Sequence, residues 1–579
     1  MREKAPHPSP LPEYRAREYG AYSEANKSIS MTRRSTKPET VIETDLAPAT
    51  SLLRLTEQIA IQEEVLRQGG GPAGRERQRK LGRLTARQRL EKLLDPGEPF
   101  TEIGLWAAYE MYPDAGEVPA AGVITGVGRV SGRSCMVVAN DATVKAGAFF
   151  PATVKKVLRA QKIAARCNLP LAYLVDSAGV YLPMQDEIFP DEDDFGRIFR
   201  NNAVLSAMGV PQYAAVMGNC VAGGAYLPVL SDKLLMTTGS ALYLAGPALV
   251  KAAIGEVDND EDLGGAAMHA NVSGTVDFHE PDDESCLKRL RSLIALLPQL
   301  PVDVSADAAT TPARDPHDLY SIVSGDGQAD YDVHDVLSCV IDAGTLQEYK
   351  AGYGKTLVCG YASLGGRAVG IVASQRALCK SSHGTQIGGV IYDDSADKAA
   401  RFVMDCSQTG LPIVFFQDVQ GFMVGRDSEQ RGIIRSGAKL VNAVSNATVP
   451  KVTVIVGGSF GAGNYALCGK AFDPTFIFAW PGARYAVMGA QQAAGTLLSL
   501  ARRRAGKDGA NPGADELEDL RQKVTADYEA RTDIRFGAAR GWVDAIIAPH
   551  TTRDVLIESL WVATRPPPPG GFRGGVMQV

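Results

Sequence analysis

The stretch VIVGGSFGAGNYALCG, residues 454–469, runs from an apolar, strand-like segment into a glycine-rich turn. Bare backbone N–H groups at such a turn attract negative charge, and phosphate is the usual occupant. The GxxxxGK[ST] loop fails here: Gly469-Lys470 has Asn464 where the first glycine belongs and Ala471 where the hydroxyl belongs. The dinucleotide pattern GxGxxG fails at Ala466, and no acidic residue closes a βαβ unit about 20 residues on. The remaining chemistry is an oxyanion hole, in which two unobstructed N–H groups hold a carbonyl oxygen as it gains charge. Close helix–strand packing is the plainer reason for glycine at such a place.

A second copy bears on that choice. VPQYAAVMGNCVAGGAY, residues 210–226, matches VPKVTVIVGGSFGAGNY, residues 449–465, with a constant spacing of 239 between positions 211 and 450, 218 and 457, and 226 and 465. The small-residue pairs are Gly223-Gly224 and Ala462-Gly463. Upstream, LPLAYLVDSAG (169–179) matches LPIVFFQDVQG (411–421), each an apolar strand that ends in aspartate and then reaches glycine. Asp176 and Asp418, at those strand ends, read equally as helix caps or turn formers and as residues with a direct role.

Other side-chain chemistry is sparse. Gly457-Gly458-Ser459-Phe460-Gly461 fits the GxSxG nucleophile elbow, which would make Ser459 a hydrolase nucleophile with His550 as its only late histidine. The twin copy carries Cys220 at that place, with Gly218 and Ala222 flanking it, which argues against the elbow. The seven histidines form no HxxxH or HExxH pair and the nine cysteines no CxxC, so no metal site and no disulfide framework are expected.

Around these motifs, residues 155–165 and 396–406 have helical apolar spacing, each just before an aspartate-ending strand. Alternating buried strands and helices predict an α/β chain with crossover connections. The Pro-, Ala- and Asp-rich stretch 302–318 divides it. The expected organisation is a disordered arm over 1–45, domains over 46–305 and 312–563, and a Pro/Gly-rich tail over 564–579, with Met31 as an alternative start. The net charge of −6 argues against nucleic acid, and no run of about 18 apolar residues spans a membrane.

Many of these segments, in order, resemble the carboxyltransferase (β) subunits of biotin-dependent acyl-CoA carboxylases, nearest the methylcrotonyl-CoA type. The shared motifs include VITGVGRVSGRSCMVVANDATVKAGAFFP, LVDSAGVYLPMQDEIFPDEDDFGRIF, AGGAYLPVLSD, QDVQGFMVGRDSEQRGIIRSGAKLVNAV and GGSFGAGNYALCGKAFDP, within roughly 65–560. The resemblance implies an α/β fold of two tandem crotonase-like domains with ββα superhelix cores. The first would be the acyl-CoA side and the second the biotin side. It implies a carbon–carbon bond-forming ligase complex in which CO2 moves from carboxybiotin to an acyl-CoA enolate. A biotin carboxylase/carrier α subunit would be the partner and would alone use ATP. The β core would be a homohexamer, in the cytoplasm, or in the mitochondrial matrix if eukaryotic.

By motif, Gly223 and Gly224 would hold the thioester oxygen, and Ala462 and Gly463 the biotin ureido oxygen. Phe422, Met423, Tyr465 and Tyr226 would line the acyl or biotin pocket, with core packing as the plainer reading. Lys145, Lys155, Lys156, Arg159 and Lys251 would meet CoA phosphates, with a solvated basic face as the plainer reading. Residues 344–370 fall where related subunits bind acyl-CoA. Ala178-Gly179 replaces the family's usual glycine pair, Met184 stands where methylcrotonyl-type relatives carry arginine, and the pattern between Cys379 and Val390 also departs from theirs. The acyl group is therefore open among 3-methylcrotonyl, propionyl, geranyl and longer chains. A glutaconyl-CoA decarboxylase-type subunit running in reverse, another crotonase-like enzyme and a non-catalytic subunit of the same fold are the alternatives. On the oxyanion reading, Gly463→Val abolishes transfer and spares the fold.

Overall fold

Two eight-stranded sheets organise the chain, and each is built by the same local rules. The computed structural model describes residues 48–254, 259–298, 309–327, 329–381, 384–489, 494–495, 498–499, 514–566 and 575–576. The expected arm over 1–45, residues 302–308 of the dividing stretch and most of the tail lie outside them.

The first sheet contains β1 (Thr101–Ile103), β2 (Val123–Val130), β3 (Arg133–Asn140), β4 (Leu171–Ser177), β5 (Gln212–Val221), β6 (Lys233–Thr237), β7 (Ala241–Tyr243) and β8 (Phe278–Glu280). Their order is β1-β2-β3-β4-β5-β6-β8, with β7 paired to the far end of β5. The antiparallel hairpin β2–β3 leads into parallel pairing from β3 onward. The second sheet contains β9 (Gln347–Glu348), β10 (Leu357–Leu364) and β11 (Arg367–Ser374). Outside it are the short ribbon strands β12 (Cys379–Ser381), β13 (Gly384–Gln386), β14 (Val390–Ile391) and β16 (Gly421–Phe422); it continues with β15 (Ile413–Val419), β17 (Lys451–Phe460), β18 (Phe476–Ala479), β19 (Arg484–Ala486) and β20 (Ala545–Ile546). The order β9-β10-β11-β15-β17-β18-β20, with β19 paired to β17, repeats the first sheet. The duplication read from two motifs therefore extends to whole layers. Both ends of β5 and β17 differ by 239, and both ends of β4 and β15 by 242.

The crossover helices start alike. In Pro151–Cys167 the Thr153 hydroxyl accepts the Phe150 N–H at 2.9 Å, and in Asp393–Thr409 the Ser395 hydroxyl accepts the Tyr392 N–H at 2.9 Å. Asn168 and Gly410 end them in left-handed conformation. Apolar faces built from residues such as Val157, Ala160 and Ala164, or Ala399, Phe402 and Val403, pack on sheets whose central strands β4 and β15 are buried along their full length. All nine cysteines are free and buried.

Candidate functional site

Each glycine turn grows out of a strand that has lost step with its neighbour. Along β4–β5, Val175 faces Val216 and then Ser177 faces Cys220. Along β15–β17, Gln417 faces Ile455 and then Val419 faces Ser459. Three residues on β5 and on β17 thus oppose a single aspartate, Asp176 or Asp418. Such bulges redirect a chain, and here the redirected chain becomes the turn.

After β5, Gly223 and Gly224 lie in the 3-10 turn Ala222–Ala225. After β17, Ala462 and Gly463 lie in the first turn of the helix Gly461–Ala466, which Gly461 enters with φ +53°. N–H groups in a first helical turn have no intrahelical acceptor and point toward a ligand.

Gly224 and Gly463 differ in what surrounds them. A Cβ on Gly224 would meet only Phe195 Cζ, at 4.0 Å, so packing alone does not demand glycine there. A Cβ on Gly463 would stand 2.7 Å from Val419 Cγ2 and 3.3 Å from Gly421 Cα. Close packing therefore does apply at Gly463, where any side chain must displace Val419. Tyr226 and Tyr465, equivalent by the 239 spacing, are 48% and 49% exposed beside their turns. Tyr465 leans on Phe472, with centroids 5.6 Å apart.

The other expected contacts divide clearly. Lys145 is exposed on a turn whose residues 145–147 all have positive φ. That turn packs on the end of β4, where Ala178 N–H donates to Ala146 O at 3.0 Å and Ser177 Oγ donates to Gly147 O at 2.7 Å. Lys145 is thus placed at the strand end preceding the first glycine turn. Phe422 is half-buried in β16, its ring against Gly437. Lys155 and Lys251 are exposed.

Lys156 and Arg159 do not serve as phosphate contacts. Lys156 is buried with Nζ donating to Ala120 O at 3.0 Å and Val123 O at 2.6 Å, and burial pushes its ammonium down to about 7. Arg159 is committed to Asp544. Both line a cleft of about 860 Å³ between the Pro151–Cys167 helix and residues 539–544, which contains neither glycine pair.

Ser459 is fully buried; its Oγ donates to Gln417 Oε1 at 2.7 Å and accepts from Asn464 Nδ2 at 2.8 Å. His550 is bonded instead to Tyr320 OH at 2.7 Å and stacks on His317. The nucleophile-elbow alternative has neither an exposed hydroxyl nor a base. Among the described residues, no group of three or more His, Cys, Asp or Glu side chains could hold a metal ion.

Residues that sequence reading missed lie beneath the turns. Arg89 Nη1 donates to Asp176 Oδ2 at 3.3 Å, and Arg376 Nε lies 3.5 Å from Asp418 Oδ2. Tyr331 OH also donates to Asp418 Oδ2, at 3.0 Å. Neither aspartate caps a helix; each accepts a backbone N–H of the neighbouring strand, so of the readings from strand ends capping falls away. Burial pushes both carboxyls up, while Arg89 and Arg376 oppose that rise.

Residues 77–567 match the carboxyl transferase domain family. The chain belongs to that family. The carboxyltransferase is 45% identical over 490 residues to the biotin-dependent 3-methylcrotonyl-coenzyme A carboxylase beta1 subunit of Mycobacterium tuberculosis, covering 84% of this chain and 90% of that one. It is 43% identical over 496 residues to the mitochondrial methylcrotonoyl-CoA carboxylase beta chain of Arabidopsis thaliana, covering 84% and 82%. The crystal structure of the geranyl-CoA carboxylase beta subunit of P. aeruginosa superposes with a TM-score of 0.82 at 33% identity, over 94% of this chain and 99% of that chain. The α/β fold with two parallel-rich sheets is thus the fold of carboxyltransferase β subunits. No helix among the described residues is long and apolar enough to cross a membrane.

Proposed function

We propose that the chain is the carboxyltransferase subunit of a biotin-dependent acyl-CoA carboxylase, moving a carboxyl group from carboxybiotin on a partner protein to the enolate of a short, branched acyl-CoA such as 3-methylcrotonyl-CoA. The observation that carries the reading is the pair of glycine turns, each leaving a bulged strand at an equivalent place in one of two like sheets. A reaction that joins two carbonyl-bearing reactants needs two oxyanion sites. When bound, carboxybiotin supplies the CO2 and, after release, the base, which accounts for the lack of an exposed acid–base pair at the turns.

In this reading Gly223 and Gly224 hold the thioester oxygen as the α-proton leaves, and Ala462 and Gly463 hold the ureido oxygen. The residues fit these roles: Ala462 is exposed, a Cβ on Gly224 would meet only Phe195 at 4.0 Å, and a half-exposed tyrosine flanks each turn. Lys145 would meet the CoA end and Phe422 would back the biotin pocket. A short acyl group is favoured by an aromatic row along the first turn. Phe149, Phe195, Phe199 and Tyr226 follow one another with centroid spacings of 4.8, 4.9 and 5.9 Å, and Phe195 closes the space over Gly224.

The domains over 46–305 and 312–563 would be the acyl-CoA and biotin sides. A homohexameric core, an ATP-using biotin carboxylase/carrier α subunit, and a cytoplasmic or mitochondrial-matrix location complete the proposal. Its test is ATP-dependent fixation of labelled bicarbonate by the chain co-purified with its biotinylated partner, over a panel of acyl-CoAs. Fixation with a short branched thioester is expected. Biotin-dependent decarboxylation of glutaconyl-CoA with no fixation on any thioester would replace the reading.

A further inference from the structure

The two bulges have lost ladder bonds, and something must hold them in a single geometry. Beside β5, Asp176 Oδ1 accepts the Asn219 N–H at 3.3 Å, while Arg89 Nη2 donates to Met217 O at 2.7 Å. Beside β17, Asp418 Oδ1 accepts the Gly458 N–H at 2.7 Å. The carboxylates sit so close that a Cβ on Gly218 would stand 2.0 Å from Asp176 Cγ, and one on Gly457 would stand 2.6 Å from Asp418 Cγ. These two glycines are equivalent by the 239 spacing, and each is bare to admit an aspartate.

The arginines, in contrast, come from unrelated places. Arg89 lies on the helix Ala86–Leu93, ahead of β1, and is shared with Asp283 at 2.8 Å. Arg376 follows β11 and also donates to Gly327 O at 3.2 Å. The matching strand spacing of 234 would put the counterpart of Arg376 at Ala142, and that of Arg89 at Val323. The same ion pair has thus been assembled twice from different parts, so shared descent of the halves does not by itself explain it. A buried charge pair is also a poor source of net stability compared with apolar packing.

We infer that Asp176 and Asp418 are positioning residues, each fixing with its arginine the bulge that aims the following oxyanion turn. The carboxylate takes an N–H that the ladder gave up, from Asn219 at 3.3 Å or from Gly458 at 2.7 Å, and the arginine beside it orients the carboxylate and opposes the burial that disfavours its charge. The inference deepens the proposed carboxyl transfer and rests on it for its kinetic consequence. The geometric consequence stands without it.

The test is hydrogen-exchange mass spectrometry on the full chain. Asp418→Ala is expected to speed exchange about tenfold in peptides spanning 456–466, the loss of one charge-assisted bond, and to leave 217–227 unchanged. Asp176→Ala should do the reverse. Asp418→Asn keeps an oxygen for Gly458 and should restore part of the protection. In carboxyl transfer to free biotin, Asp418→Ala should lower kcat with the acyl-CoA dissociation constant unchanged. Unchanged exchange at 456–466, or a rise spread over both sheets, overturns the inference. If Asp418→Ala does not fold, Asp418→Asn and Arg376→Met decide by the same local readout: a rise confined to 456–466 supports it and none overturns it. Wild-type protein that transfers nothing to biotin would remove the proposed function and leave the exchange result to judge the bulges.

Discussion

Arg159 and Asp544, 385 positions apart, are joined by two hydrogen bonds of 2.9 and 2.7 Å between the Pro151–Cys167 helix and the strand edge before β20. Lys470 Nζ adds a third bond to Asp544 Oδ1 at 2.7 Å. Asp544 also accepts the Ile477 N–H at 2.9 Å, so one carboxylate ties the first sheet's crossover helix to the second sheet.

This cross-brace has a pH signature. Burial pushes the Asp544 carboxyl up, but Arg159 and Lys470 together hold it well below the usual carboxylate range. A carboxyl depressed by folding adds stability above its unfolded pKa, and that stability is lost as pH falls through the ordinary carboxylate range and below. Denaturant unfolding should therefore show Asp544→Asn costing about 3–5 kcal/mol at pH 7, with a smaller gap from wild type at acid pH. Equal gaps at both pH values would contradict it.

The two glycine turns should respond differently to one methyl group. Gly224→Ala makes only an ordinary contact with Phe195 and should leave the melting temperature nearly unchanged while lowering carboxyl transfer by about 10²-fold through obstruction of the oxyanion site. Gly463→Ala places its Cβ against Val419 and should cost about 1–3 kcal/mol of stability as well. Calorimetry beside steady-state rates separates the two.

Phe195 should govern acyl length. Its ring is the nearest atom group to the space over Gly224, so Phe195→Leu should raise kcat/KM for a longer acyl-CoA relative to 3-methylcrotonyl-CoA, by about tenfold. A competition assay with mixed acyl-CoAs reads the ratio directly. An unchanged ratio would place the acyl pocket elsewhere.

Ser459 should be chemically silent. With its hydroxyl enclosed by Gln417 and Asn464, it should resist fluorophosphonate labelling in the folded protein. Ser459→Ala should cost about 1 kcal/mol of stability and keep the carboxyl-transfer activity.

What could be read from the sequence follows from how closely each feature is encoded along the chain. β5 and β17 were visible because apolar strands, bulge and turn form one unbroken stretch, repeated at a single spacing. The Pro151–Cys167 and Asp393–Thr409 helices were visible because their buried faces have helical periodicity. Asp176 and Asp418 were located, but their role stayed open because their partners are not near in sequence: Arg89 is 87 residues away and comes from outside the repeat. Lys156 and Arg159 looked like surface cations on a helix. Only the carbonyls of Ala120 and Val123, and the carboxylate of Asp544, reveal that they face inward. Glycine alone did not distinguish the free space at Gly224 from the crowding at Gly463, since both read as the same letter.

The burial of all nine cysteines has a consequence for a protein whose reactants are thioesters. A surface thiolate would attack an activated acyl group, expel coenzyme A as its thiol and carry the acyl group off as a protein-bound thioester. Burial pushes thiols such as Cys135 and Cys359 up to about 12, so they stay protonated as well as out of reach. The folded chain can therefore be saturated with acyl-CoA without acylation of its cysteines.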